Sequence, residues 1–212
     1  MNNENIISKF LQNFQNPTGF WGEIILWIMN RGHSSLSLWG MSHIKWSPKW
    51  NVLDIGCGGG ANIAMMLQYC PQGTVYGIDI SQTSVTFAQK RNKDALHKHC
   101  FIEQGTVNKL PYTDKMFDTV TAFEAVYFWN NLHQAFSEVS RILKENGYFL
   151  ICCEMNDPSQ GKWSKHINGM TIYSGDKLKS ILLEFDFTDI VLYKQKKALC
   201  IVAKKRDSQK GI

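Results

Sequence analysis

The chain has 212 residues, 44% of them hydrophobic, and no Pro- or Ser-rich linker, so it can bury one substantial core and gives no reason to invoke a second. No N-terminal stretch joins basic residues, an apolar run and a small-residue cleavage site, and the apolar run over 24–29 is far shorter than a membrane span; a cytosolic protein is expected. The net charge of +5 sits in the C-terminal part, where 11 Lys and Arg stand against 5 Asp and Glu from 158 to 212, but the Lys residues are scattered and lack an interleaved aromatic array, which reads as a solvated face.

Residues 1–50 read as two or three short helices broken at Asn16-Pro17 and near Gly32, and they hold five of the seven Trp residues. Such a segment either covers the open end of a following sheet or packs on one sheet face as a cap. From Asn51 onward strands and helices alternate: strand 51–55, helix 60–69, strand 74–80, helix from Ser81 as N-cap to about 96, strand 100–104. Repetition of this kind builds a parallel sheet with right-handed crossovers. Strand 117–123 and helix 132–145 follow, the helix with apolar residues at 132, 136, 139 and 143 and with Asn146-Gly147 as its stop signal. Strand 148–153, helix 176–184 and a hairpin of 187–193 with 198–204 complete the pattern, and 205–212 is a polar tail.

The informative stretch is Asn51 to Asn62, NVLDIGCGGGAN, an apolar strand running through a carboxylate into a glycine-rich turn with a helix behind it. Glycines at 56, 58, 59 and 60 permit a sharp turn and are expected to bring main-chain N–H groups close to a ligand. A second strand, TVYGIDI, ends in Asp79, placed to accept both hydroxyls of a ribose. Asp54 argues against a dinucleotide: like charges about 4 Å apart in a low-dielectric cleft repel by several kcal/mol, so a pyrophosphate is disfavoured. A ligand carrying an ammonium and a sulfonium is favoured by the same carboxylate.

Through VLDIGCGGG (52–60), GIDIS (77–81), LPYTDKMFDTVTAFEAVYFW (110–129) and SRILKENGYFLI (140–151), the chain resembles the class I S-adenosylmethionine-dependent methyltransferases, in particular the small-molecule type 11 domain that includes quinone-ring methyltransferases. The resemblance implies a Rossmann-like α/β fold over 51–204, a seven-stranded, mostly parallel sheet with an antiparallel last strand and helices on both faces, preceded by the helical extension 1–50. It implies S-adenosyl-L-methionine as cofactor and S-adenosyl-L-homocysteine as product. Asp54 and the backbone of Gly56, Cys57 and Gly58 would face the methionine part, Asp79 the ribose, and Ile80 one adenine face. The adenine edge falls to Thr106 and the N–H of Val107; members often have an acidic residue where this chain has Thr106.

In-line methyl transfer needs alignment and exclusion of water more than a protein nucleophile, so the lack of a triad or of metal-ligand spacing among the cysteines fits. Glu124 is expected to orient the cofactor's amino group or act as base, and Tyr127, Phe128 and Trp129 to line an apolar acceptor pocket or to pack beneath the next helix. His33, in a loop expected from Met29 to Trp39, is a second candidate base. The expected acceptor is a small molecule. A nucleic-acid methyltransferase would want an Asn/Asp-Pro-Pro-aromatic motif that Leu110-Pro111-Tyr112 does not supply, and a cofactor-binding protein without turnover is the third reading.

Overall fold

The computed structural model describes residues 34–160 and 169–208. Seven strands, β1 (Asn51–Ile55), β2 (Thr74–Asp79), β3 (Cys100–Gln104), β4 (Phe117–Phe123), β5 (Leu143–Cys153), β6 (Phe187–Gln195) and β7 (Ala198–Lys205), form one sheet in the order β3-β2-β1-β4-β5-β7-β6. β3, β2, β1, β4 and β5 are mutually parallel, and β7 runs antiparallel to both β5 and β6. The order reverses at β1 and β4, and in open α/β sheets the crevice at such a switch point is where ligands bind.

The central strands are apolar on both faces because helices cover both. On one face α1 (Ser34–Met41), α2 (Ala61–Tyr69) and α3 (Gln82–Arg91) bury Val52, Ile63, Met66, Val75, Val85 and Leu150. On the other, α4 (Leu132–Ile142) and α5 (Gly175–Leu183) bury Leu53, Phe117, Phe136, Phe149, Leu178 and Phe187. Ser81 caps α3 as expected, its hydroxyl accepting from the Ser84 N–H at 3.3 Å.

Two helices stop short of the lengths expected from periodicity, each for a tertiary reason. α3 ends at Arg91, not 96, where the buried Asn92 side chain donates to the carbonyls of Ala88 (2.9 Å) and Gly60 (3.1 Å), closing the helix and tying it to the glycine turn. α4 ends at Ile142, not 145: the N–H groups of Lys115 and Met116 take the Arg141 and Ile142 carbonyls at 3.0 and 2.8 Å, and the chain turns directly into β5. Asn146 (φ 62) and Gly147 therefore bend the start of β5 instead of ending a helix.

Of the N-terminal extension, residues 34–41 are helical, correcting the loop expected up to Trp39. Leu36 and Met41 are buried in the same layer as Cys152 and Cys200, so this part packs on the β5/β7 face. Gly40 permits the close approach: a Cβ there would lie 2.9 Å from Cys152 Sγ. His33 and the rest of residues 1–33 lie outside the described residues.

Candidate active site

A cavity of about 200 Å³ opens at the C-terminal ends of β1, β2 and β4. Its first wall is the glycine turn. Gly56, Gly58 and Gly60 have φ of 71°, 51° and 73°, a region costly for any side chain, and a Cβ on Gly56 would sit 2.6 Å from Ala125 Cβ. The turn is pinned to β2: the N–H groups of Gly56 and Cys57 donate to Ile78 O at 2.8 and 3.2 Å, Gly58 N–H to Asp79 Oδ2 at 2.9 Å, and Gly60 N–H to Cys57 O at 2.9 Å. The N–H groups of Gly56, Cys57, Gly58 and Gly60 are thus bonded inside the protein, while the N-terminus of α2 behind them has no side-chain cap. What the turn presents is glycine backbone without side chains, next to carboxylates.

Asp79 holds the corner between the turn and α3. Each of its oxygens accepts one backbone N–H, from Gly58 and from Ser81, both at 2.9 Å, which fixes the carboxylate and leaves each oxygen acceptor capacity. Burial raises its pKa and the two N–H groups oppose the rise. Ile80, 59% exposed, stands beside it on the cavity wall.

Asp54 lies behind this wall, 1% exposed, with Thr121 Oγ1 donating to its Oδ1 at 2.6 Å and no partner within the protein for Oδ2. Burial pushes its carboxyl up to about 7, against the Thr121 hydrogen bond and with a smaller push from Asp79. A buried carboxyl with one oxygen unpartnered behind the turn suits a cationic group and disfavours an anionic one. Cys57 is also behind the wall, packed near Gly77, and burial together with Asp79 and Asp54 pushes its thiol far up, so it is no nucleophile.

The loop after β3 forms the second wall. Gly105 N–H donates to Asp79 O at 2.9 Å, and Arg141 holds the loop's far end through the carbonyls of Tyr112 (2.7 Å) and Leu110 (3.1 Å). Thr106, exposed, and Val107, buried, both line the cavity; Thr106 Oγ1 accepts the Asn108 N–H at 3.3 Å. Asn108 lines it too, and its Oδ1 is buried without a partner. Sequence reasoning passed over Asn108; its one signal was its place two residues after Thr106, on the same loop.

The third wall leaves β4. Glu124 adopts φ 55, a left-handed conformation that costs a non-glycine residue about 1–2 kcal/mol, with its N–H on Cys152 O at 2.9 Å. Its Oε1 accepts from the Glu154 N–H at 2.5 Å and from Tyr127 Oη at 3.2 Å, and burial pushes its carboxyl up to about 8. Tyr127 is 2% exposed and does not line the cavity; its hydroxyl accepts the Met155 N–H at 2.8 Å, so it fastens Glu124 to the exit of β5. Trp129 is 6% exposed, parallel to Phe149 at 6.4 Å, and lines the cavity together with Phe128 and Asn130. Of the residues picked from sequence, Gly56, Gly58, Asp79, Ile80, Thr106, Val107, Glu124 and Trp129 come together around one cavity; Asp54, Cys57 and Tyr127 support it from behind. Among the described residues no group of three or more His, Cys, Asp or Glu is placed to hold a metal ion, and no helix is long and apolar enough to cross a membrane.

Residues 53–151 match the model of the methyltransferase domain family. The chain is 36% identical over 98 residues to the demethylmenaquinone methyltransferase of Lactobacillus johnsonii, covering 45% of this chain and 40% of that one. It is 29% identical over 119 residues to the uncharacterized methyltransferase YcgJ of Bacillus subtilis, 55% of this chain and 46% of that one. The chain thus spans less than half the length of these curated relatives. In structure it is similar to YcgJ, with a TM-score of 0.68 at 19% identity over 83% of this chain and 100% of that one. It is also similar to geranyl diphosphate C-methyltransferase of Streptomyces coelicolor, solved with S-adenosyl-L-homocysteine, with a TM-score of 0.70 at 19% identity over 81% and 76% of the two chains. Both structural likenesses concern the fold.

Proposed function

We propose that this chain, whose residues 53–151 match the methyltransferase domain family, is a class I S-adenosylmethionine-dependent methyltransferase that transfers the cofactor's methyl group to a small-molecule acceptor by in-line displacement. The observation that carries the reading is the buried carboxyl of Asp54, its Oδ2 without a partner in the protein, behind a glycine turn whose Gly56, Cys57, Gly58 and Gly60 N–H groups are bonded inside the protein. Asp54 disfavours a pyrophosphate there and favours an amino acid ammonium beside a sulfonium, whereas Asp79 suits the ribose of either ligand. Bound there, S-adenosyl-L-methionine supplies a methyl group made electrophilic by its sulfonium.

The chain's own residues then bind, align and dry the site. Asp79 takes the ribose hydroxyls on its two oriented oxygens, and Ile80 covers one adenine face. Thr106 and the Val107 backbone meet the adenine edge, with Asn108 Oδ1 as a further acceptor in reach of that wall. Gly56, Cys57 and Gly58 give the methionine end a close backbone surface, and Asp54 stabilises its positive charge from below. Phe128 and Trp129 face the acceptor, and alignment with water excluded supplies most of the rate. Glu124, held near 8 by burial, is matched to take a proton from an acceptor hydroxyl or ammonium near neutral pH. His33, directly before α1 in the chain, is the second candidate for that proton.

The test is incubation with methyl-labelled cofactor and a cell metabolite extract, followed by mass tracing, with total RNA as a parallel arm. Label in a small molecule supports the reading. Label only in RNA favours the nucleic-acid alternative, and tight cofactor binding with no label in either arm favours a binding protein without turnover.

A further inference from the structure

Cys152 and Cys200 face each other directly across the antiparallel pair of β5 and β7. Directly opposed residues of such a pair have Cα atoms about 4.5 or 5.5 Å apart, and both separations fall in the roughly 4.4–6.8 Å range a disulfide spans. Neighbouring pairs point to the opposite face, where Ile151, Ile201, Cys153 and Leu199 join the other core layer. The two thiols therefore sit together under α1. Cys152 Sγ lies 3.8 Å from Leu36 O and Cys200 Sγ 4.0 Å from Gly40 O, each as a weak donor to the helix backbone.

We propose that this pair is a redox modification site: when α1 lifts and admits a peroxide, Cys152 and Cys200 close an intramolecular disulfide that joins β5 to β7. One thiol attacks hydrogen peroxide, the O–O bond breaks, a sulfenic acid forms and water leaves. The second sulfur then attacks the sulfenic sulfur, the S–S bond forms, the S–O bond breaks and a second water leaves. Two thiols have lost two electrons and two protons, and the peroxide has been reduced to two waters.

The geometry explains why opening comes first. Both side chains are fully buried, and the neighbouring Cys200 thiol together with burial pushes the Cys152 thiol far up, which disfavours the reactive thiolate while α1 is down. Once the disulfide is made, both S–H donors to Leu36 and Gly40 are gone and α1 docks less firmly. The inference is independent of the methyl-transfer reading, since it concerns the β5/β7/α1 layer and not the cavity.

The reduced full chain is treated with hydrogen peroxide and mapped as unreduced peptides, while amide exchange over 34–41 follows the opening of α1. Expected are a mass lower by two hydrogens, one dominant cross-link between the peptides of Cys152 and Cys200, and faster exchange of 34–41 afterwards. Cys152→Ala and Cys200→Ala should each abolish the loss of two hydrogens, whereas Cys70→Ala should not. Because the wild-type map alone decides, a variant that fails to fold does not stall the test. Bridging of either residue to another cysteine, sulfinic acid on either, or two free thiols under conditions where 34–41 exchanges would each overturn the proposal.

Discussion

At the ends of β1 and β2 the site is shaped by backbone, and at the ends of β4 and β5 by side chains. On the first side, glycines at positive φ, a turn bonded to Ile78 O and a carboxylate fixed by two N–H groups leave little that can move without breaking the sheet. On the second, Glu124 is held in a strained conformation by Tyr127 and by the backbone of 154–155, and the segment 169–173 braces this corner through Thr171 N–H on Tyr127 O (2.8 Å) and Tyr173 Oη on Trp129 O (3.3 Å). The difference assigns the tasks: the rigid side suits a ligand common to many enzymes, the side-chain-built side suits the partner that varies.

The contrast breaks most completely if the rigid side tolerates a side chain. Gly56→Ala adds a left-handed alanine at about 1–2 kcal/mol and an overpacked contact with Ala125 at about 1–3 kcal/mol. Denaturant unfolding should show a loss of about 2–5 kcal/mol, and cofactor binding should vanish with it; a stable, binding-competent variant would mean the turn is not constrained.

The Asp54 carboxyl gives the next effect. Its pKa rises from 3.8 to about 7 on folding, so between these values the folded protein holds a proton that the unfolded chain has lost. Ligand-free stability must then fall as pH rises from about 4 to 7, by up to ~4 kcal/mol, and stay low above that window. Unfolding at pH 5 and pH 8 should show a smaller drop in Asp54→Asn, while saturating S-adenosyl-L-homocysteine should recover much of the loss in the wild type only. Equal pH slopes in the two proteins would contradict a buried, protonated Asp54.

On the other side, Glu124→Gln should separate chemistry from binding. Turnover on the acceptor is expected to fall about 100-fold and S-adenosyl-L-homocysteine affinity to change by less than about threefold. Equal losses in both would make Glu124 a cofactor ligand instead. The smallest effect belongs to Thr106→Asp, which supplies a charged acceptor at the adenine edge and should leave affinity unchanged or raise it by about 1 kcal/mol in calorimetry. A clear loss there would mean that Asn108, not residue 106, meets the adenine.

The same contrast explains what could be read from sequence. The turn, the two strand-end carboxylates and the seven strands were legible because each rests on local constraints: glycine at left-handed positions, alternation of strand and helix, a carboxylate at a strand end. The direction of Tyr127 was not. It sits in a single 3₁₀ turn, Val126–Phe128, where each residue rotates by about 120°, so that Phe128 faces the cavity and Tyr127 the core. Nor was the engagement of the turn's N–H groups, which depends on Ile78 from another strand, or the early stops of α3 and α4, which depend on Gly60 and on Lys115 and Met116.

The proposed function rests on Asp54 behind the glycine turn favouring a nucleoside that bears an amino acid ammonium over a pyrophosphate. Titration calorimetry of the full chain with S-adenosyl-L-homocysteine and with NAD, repeated on Asp79→Ala, tests it most directly. The account predicts S-adenosyl-L-homocysteine binding at least about 100-fold tighter than NAD, and a loss of about 2–3 kcal/mol in the variant as the charge-assisted ribose hydrogen bonds go. Tight binding of NAD, or S-adenosyl-L-homocysteine affinity indifferent to Asp79, would contradict it.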